Sequence, residues 1–242
     1  VRPPVDTIPA PPFPAGLDWI NGRPPDAPKA LLVEFWDFCR VHSVRTLPYV
    51  RGWHERYADS GLAVVGVHCP GFPPSRDEDA VRAAVARLEI AYPVCTDHAF
   101  DVWQLYDNPG WPARYLFDEG AMLRELHHGE GGYRETELAI QELLGVQREP
   151  MAPLRPEEDP EALIAAPSED QGGAWSGAYE AGAVWAVVSG GGTLRVNGVQ
   201  RTVAWPGCHL LVDHGRHTAA VLELEVGEGV TCYAVCFTPG IC

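Results

Sequence analysis

Seven cysteines lie along this chain, at positions 39, 69, 95, 208, 232, 236 and 242, and no two of them form a Cys-x-x-Cys pair. One stands in company that makes a thiol reactive. Cys39 sits in the run Asp37-Phe38-Cys39-Arg40-Val41-His42-Ser43-Val44-Arg45, with three cationic or titratable neighbours close by in sequence. An apolar run ends just before it, and a helical pattern begins within it. A helix start offers unpaired N–H groups and a positive dipole end, the setting in which a thiolate or another anion is stabilised. Three chemistries compete for this stretch. The first is thiol redox, with Cys39 attacking and Cys69 resolving. The second is capture of a soft metal, copper(I) or zinc, by Cys39, Cys69 and Cys95 with His42. The third is a binding site without catalysis, in which the thiols are inert small hydrophobes. A peroxidase reading needs Pro and Thr seven and three residues ahead of the cysteine, where this chain has Leu32 and Trp36.

The elements that must position these residues can be read from periodicity. Ala30-Leu-Leu-Val-Glu-Phe-Trp36 and Gly61-Leu-Ala-Val-Val-Gly-Val-His68 are nearly continuous apolar runs, the pattern of strands buried on both faces. Residues 44–58, 77–88, 99–106 and 136–144 have helical period, with Pro48 inside the first. Short strands are expected at 91–95, 113–118 and 121–127. Strands alternating with helices make an α/β domain, with Cys39, Cys69 and Cys95 at the carboxyl ends of three strands, where open α/β sheets place their ligand sites. Adjacent His127 and His128 point to opposite faces of their strand and do not share a metal.

Before and after this domain the composition shifts. Residues 1–29 hold many prolines and read as an extended lead-in that wraps the domain. Residues 30–146 form the α/β domain, residues 147–173 an acidic, Pro-rich linker, and residues 174–242 a small β-sandwich of short strands with an Asn197-Gly198 hairpin turn. There, His214 and His217 could join Cys208 on a metal. Cys232 and Cys236 on one strand are roughly 13 Å apart, too far to pair, and should face one side with Ala234.

The chain has 242 residues and a formal charge of −15, which disfavours nucleic acid and anionic membrane surfaces. No apolar run reaches the length of a membrane span, and the first residues lack a signal pattern, so the expectation is a cytoplasmic protein, or an extracytoplasmic one if processed.

Several motifs taken together resemble the thioredoxin-like redoxins of the TlpA/ResA group, including DipZ-type domains. They are Phe35-Trp36, Arg45-Thr46-Leu47-Pro48-Tyr49, Val65-Gly66-Val67-His68 with Pro70, Trp111-Pro112-Ala113-Arg114-Tyr115-Leu116, and Gly129-Glu130-Gly131 with Tyr133. The resemblance covers about residues 17–145. It implies a thioredoxin-like fold and a cis-proline at Pro112, with Trp111 beside it. It places the two redox cysteines of the family on Arg40 and Ser43, so the family's disulfide chemistry does not carry over by motif. The pocket is then Arg40, His42, Ser43, Arg45, Trp111 and Pro112, with Arg45 opposite an acid such as Asp37. The reading is an atypical redoxin acting on a small-molecule or thiol substrate through Cys39 with Cys69, with no required cofactor. A copper or zinc protein, or a binding module, is the alternative, and the second domain admits a homodimer.

Overall fold

The computed structural model describes residues 8–242. It divides into two compact units, residues up to 38 with 42–151, and residues 39–41 with 152–242.

The first unit is an α/β domain. Its elements are β1 (Asp18–Ile20), β2 (Ala30–Trp36), α1 (Val41–Tyr57), β3 (Leu62–His68), α2 (Glu78–Arg87), β4 (Val94–Thr96), α3 (Asp101–Leu105), β5 (Ala113–Asp118), β6 (Leu123–His128) and α4 (Tyr133–Leu144). The six strands lie in the order β1-β4-β3-β2-β5-β6. The central strands β2, β3 and β4 run parallel, joined by helical crossovers, and the flanking pairs are antiparallel. This is why the β2 and β3 sequences are apolar throughout: both faces are covered. Alternation still sorts their side chains. Val33, Phe35, Val65, Val67, Cys69 and Cys95 join one core with Val102 of α3. Glu34 faces the other way, opposite Arg114 of β5, whose guanidinium lies over Trp53 of α1 and Tyr133 of α4.

Helix α1 begins three residues earlier than its apolar period suggests, so His42 and Ser43 lie in its first turn, and it runs through Pro48. Residues 8–20 make backbone contacts along the domain. Ala10 N donates to Ala121 O and Leu123 N to Ile8 O at one side, while β1 pairs with β4 at the other. Between them Ala10, Phe13, Leu17 and Trp19 pack on the α3-side core. Residues 1–7 of the expected lead-in fall outside the described residues.

In the second unit, β7 (Ile164–Ala165), β8 (Gln171–Gly172), β9 (Gly177–Gly190), β10 (Gly192–Val196), β11 (Val199–Val203), β12 (Gly207–Leu222), β13 (Leu224–Val226), β14 (Val230–Thr238) and β15 (Gly240–Ile241) are all antiparallel. They build a four-stranded sheet, β12-β9-β14-β8, a three-stranded sheet, β11-β10-β13, and a β15-β7 ribbon. Side chains from the two larger sheets meet in one apolar core that includes Val184, Leu194, Val203, Leu211, Leu224 and Val235. Residues 152–173, read from sequence as a linker, belong to this unit: β8 extends the sheet at β14, and β7 pairs with β15. Their prolines and acids are compatible with two-residue strands, which need only a few backbone donors.

A bulge at Tyr233 corrects one expectation. Cys232 pairs with Val188 and Ala234 with Val187, so one residue of β14 has no counterpart. Such an insertion reverses the alternation beyond it. Cys232 therefore packs on the shared core, with Val235 and Phe237 on the same side, while Ala234 and Cys236 face the opposite way.

Candidate active site

The site lies at the carboxyl ends of β2 and β3, where the chain leaves the sheet for α1. Asp37 follows β2 and is fully buried, yet well satisfied. Its N–H donates to Ser43 Oγ (3.3 Å), its Oδ2 accepts from Gly71 N (2.8 Å) and Ser75 Oγ (3.2 Å), and His68 Nε2 lies 3.6 Å from its Oδ1. The His68 ring stacks on Phe38 and meets Trp36 edge-on. These contacts pin the loop from both sides. They also define the role of Ser43, which is buried and holds the loop backbone.

Cys39 and Arg40 stand on this loop immediately ahead of α1, and Cys39 is fully buried. Within the first turns of α1, His42 and Arg45 converge on a single carboxylate, Glu130, in the loop before α4. His42 Nδ1 lies 3.0 Å from Glu130 Oε2, and Arg45 Nε donates to Oε1 at 2.6 Å. The His42 side chain is 45% exposed and Arg45 only 6%. Burial alone would push the Glu130 carboxyl up; His42 and Arg45 outweigh it and hold the group below the ordinary range. The sequence sets Arg45 beside an acid such as Asp37; in the fold the Arg45 guanidinium pairs with Glu130. Thr46 and Tyr133 hydroxyls add a 3.1 Å hydrogen bond, and the Tyr49 and Tyr133 rings stack at 3.8 Å.

On the α3 side, Cys69 directly follows β3 and Cys95 lies on the parallel neighbour β4, opposite Val67. Cys69 Sγ donates to Asp97 Oδ2 (3.5 Å), and the same carboxylate accepts from Asp101 N and Trp103 N (both 2.8 Å) at the start of α3. Both thiols are fully buried. Burial, then the negative charge of Asp97, raises the Cys69 thiol well above its ordinary value, and the same two causes push Cys95 up to about 12. They are protonated at neutral pH. All seven cysteines are thiols in this structure.

The Trp111–Pro112 bond is cis, as the resemblance implies. Pro112 O accepts from Gly129 N (2.8 Å), next to Glu130, and the Trp111 ring lies 4.4 Å from Trp103 and 6.3 Å from Phe100.

The metal set does not assemble. Among the described residues, no three His, Cys, Asp or Glu side chains form a group that could hold a metal ion. His42 is turned to Glu130 and Cys69 to Asp97, so Cys39, His42, Cys69 and Cys95 are not gathered as copper or zinc ligands. In the second unit, His214 Nε2 is 2.8 Å from Tyr179 Oη and His217 Nε2 is 3.4 Å from Glu180 Oε2. Tyr179 and Glu180 are neighbours on one strand, so the two histidines are drawn to opposite faces and do not share a metal with Cys208.

Three residues of this region escaped the sequence reading as functional groups. Glu34 is the one acid in the Ala30–Trp36 strand; it is fully buried, near Tyr92 Oη (3.5 Å), and burial pushes it up to about 8 while Arg114 and Tyr92 pull the other way. An acid inside an apolar run was the available signal. Glu130 stood inside the Gly129-Glu130-Gly131 motif, whereas Asp97 gave no signal; each acquires its partners across the fold.

No family model matches the chain. The Mycobacterium tuberculosis protein DipZ is 39% identical over 116 residues, which is 48% of this chain and 17% of DipZ. Bos taurus NHL repeat-containing protein 2 is 33% identical over 129 residues, 50% of this chain and 18% of that protein. The chain thus spans less than a fifth of the length of either relative. The Bacillus subtilis thiol-disulfide oxidoreductase YkuV is 26% identical over 130 residues and is covered over 87% of its length. A solution structure of a thioredoxin-like protein in its oxidised form superposes with a TM-score of 0.52 at 26% identity, covering 57% of this chain and 95% of that one. The first unit is a thioredoxin-like redoxin domain. Arg40 and Ser43 stand where the sequence resemblance puts the redox cysteines, and among the described residues no helix is long and apolar enough to cross a membrane.

Proposed function

We propose that the redoxin domain carries out thiol–disulfide chemistry without a Cys-x-x-Cys pair, with Cys39 as attacking thiol and Cys69 as resolving thiol. The observation that carries this reading is the Cys69 Sγ–Asp97 Oδ2 hydrogen bond: a second thiol at the carboxyl end of β3 already has a proton acceptor aimed at it. The name of one relative, a thiol-disulfide oxidoreductase, supports the reaction class.

The steps balance with sulfur alone. The Cys39 thiolate attacks a substrate disulfide R–S–S–R′, forming Cys39–S–S–R and releasing R′–S⁻. Cys69 then attacks the Cys39 sulfur, forming Cys39–Cys69 and releasing R–S⁻ as the Cys69 proton passes to Asp97. A dithiol reductant returns the protein disulfide to two thiols, so the substrate is a disulfide or thiol and no cofactor is needed. Burial holds the Cys69 proton tightly, so that proton must leave as the new S–S bond forms. The raised Cys69 suits this order, because it keeps the resolving thiol silent until Cys39 is loaded. With Cys39 fully buried, the first attack requires the loop after β2 to open.

A second reading follows from that same burial. With Cys39, Cys69 and Cys95 all at zero exposure, the domain would be a binding module that keeps the cis-Pro112 surface and no longer exchanges disulfides. Mass spectrometry after reaction with a small aromatic disulfide separates the two. Redox chemistry predicts a Cys39–Cys69 disulfide in the native chain, a mixed disulfide trapped on Cys39 in Cys69→Ser, and no reaction at either site in Cys39→Ser. If neither cysteine enters a disulfide in the folded chain, the binding module is the correct reading.

A further inference from the structure

The second unit contains a cleft of about 800 Å³ that the redox reading does not use, lined from both ends of the unit by residues 153–156, 159 and 161–163 and by Ile241 and Cys242. Its walls are apolar. Leu163 is 78% exposed, and the neighbouring Leu154 and Ile164 are about half exposed. So many large apolar side chains left in water within one short stretch mark an interaction surface rather than ordinary scatter. The walls are also held in place: Cys242 N donates to Leu163 O (2.8 Å), and β7 pairs with β15 just beyond.

The rim sets the sign of the occupant. Asp159 and Glu161 are exposed at the cleft, on a turn in which Asp159 Oδ1 accepts from Glu161 N and Asp159 O from Ala162 N (both 2.9 Å). The cation among the lining residues, Arg155, is ion-paired with Glu157 and Glu158. The remaining charge at the opening is negative, in a chain of net charge −15. A second copy of this chain would therefore bring mostly repelling charge. The β15-β7 ribbon adds an extended backbone, since in the two-stranded sheet β7 is paired on one side.

We propose that this cleft docks an extended basic segment of a partner protein, in which apolar residues entering the cleft alternate with Lys or Arg facing Asp159 and Glu161. Alternation follows because an extended strand presents side chains to two sides in turn, which lets apolar residues meet Leu154 and Leu163 while the cations meet Asp159 and Glu161.

The test uses the full chain and three fluorescein-labelled ten-residue peptides that alternate Leu with Lys, Ser or Glu, followed by anisotropy. The Leu/Lys peptide should bind at least tenfold more tightly than the Leu/Ser peptide, with the gap closing in high salt, and the Leu/Glu peptide should not bind. Leu163→Asp and Glu161→Lys should each weaken the Leu/Lys peptide at least tenfold; both positions are exposed, so neither change burdens the fold. Leu105→Asp, an exposed leucine on α3 of the other unit, should leave binding intact. Equal binding of the Lys and Ser peptides, or binding that survives both cleft substitutions, overturns the proposal. So does a dimer in sedimentation that Leu163→Asp abolishes, since the occupant would then be a second copy.

Discussion

Replacing Glu130 with Gln tests whether the first turn of α1 is held by one carboxylate. The substitution keeps the shape and takes the charge from both Arg45 and His42. The cost can be bracketed. Breaking a fully buried ion pair by removing one partner costs about 3–5 kcal/mol, whereas a solvated pair contributes at most about 1 kcal/mol. Arg45 is 6% exposed and Glu130 18%, with Nε to Oε1 at 2.6 Å, so this pair lies nearer the buried end. His42, at 45%, is largely screened by water and adds little. About 2–3 kcal/mol is expected at neutral pH. For a protein of this size that lowers Tm by roughly 5–10 °C, read by scanning calorimetry. Hydrogen exchange in α1 should speed up most at Ser43–Arg45. The pH dependence follows from the lowered Glu130 carboxyl. A group whose folded pKa lies below its unfolded value binds fewer protons folded than unfolded, so its stabilisation is complete above about pH 5 and fades as pH falls through the folded value. The gap between the native protein and Glu130→Gln should thus be full at pH 7 and shrink below about pH 4. A loss under 2 °C at pH 7, or one unchanged at pH 3, would refute the carboxylate anchor.

Two further substitutions probe the two units separately. Glu34 has the opposite sign: its carboxyl, pushed up to about 8, binds its proton more tightly folded than unfolded, so its contribution to stability falls as pH rises from about 4.5 to 8. Glu34→Gln should flatten that part of the stability–pH curve by an amount on the order of several kcal/mol, measured by urea unfolding at pH 5 and pH 9; an unchanged slope would mean Glu34 is ionised in the fold. In the second unit, a Cβ at Gly182 would lie 2.3 Å from Pro239 O and 2.6 Å from Gly240 Cα, both backbone atoms that cannot swing aside. Gly182→Ala should therefore cost about 3 kcal/mol in the calorimetric transition of that unit, and a neutral effect would show that the β9–β15 approach is loose.

What the sequence made legible was what a local period encodes. Apolar runs such as Ala30–Trp36 identify strands covered on both faces, and the alternation of strands and helices gives the α/β order of the first unit. Trp111-Pro112, within its motif, marked the cis bond. The rest was hidden for identifiable reasons. Arg45 meets Glu130 across 85 positions and Cys69 meets Asp97 across 28, and neither pairing leaves a trace in the spacing of either residue. The bulge at Tyr233 inserts one residue without any local signal, so counting by twos placed Cys232 and Cys236 on one face. Residues 152–173 have the composition of a linker, yet joining a sheet there takes only the few backbone pairs that β7 and β8 make.

The alternation of the central strands also decides which carboxyl group can serve which thiol. Cys69 and Cys95 share the α3 face with Val33, Phe35, Val65 and Val67, and Asp97 reaches Cys69 on that side. Glu34 projects from the other face, toward Arg114 and the aromatic rings of α1 and α4. The sheet itself stands between Glu34 and Cys69. In the chemistry proposed above the Cys69 proton goes to Asp97, its hydrogen-bond partner on that face, and the raised Glu34 carboxyl belongs to the packing of α1 against the sheet. The redox chemistry proposed at Cys69 and the pH dependence set by Glu34 should then be separable, because the backbone that joins them also turns them apart.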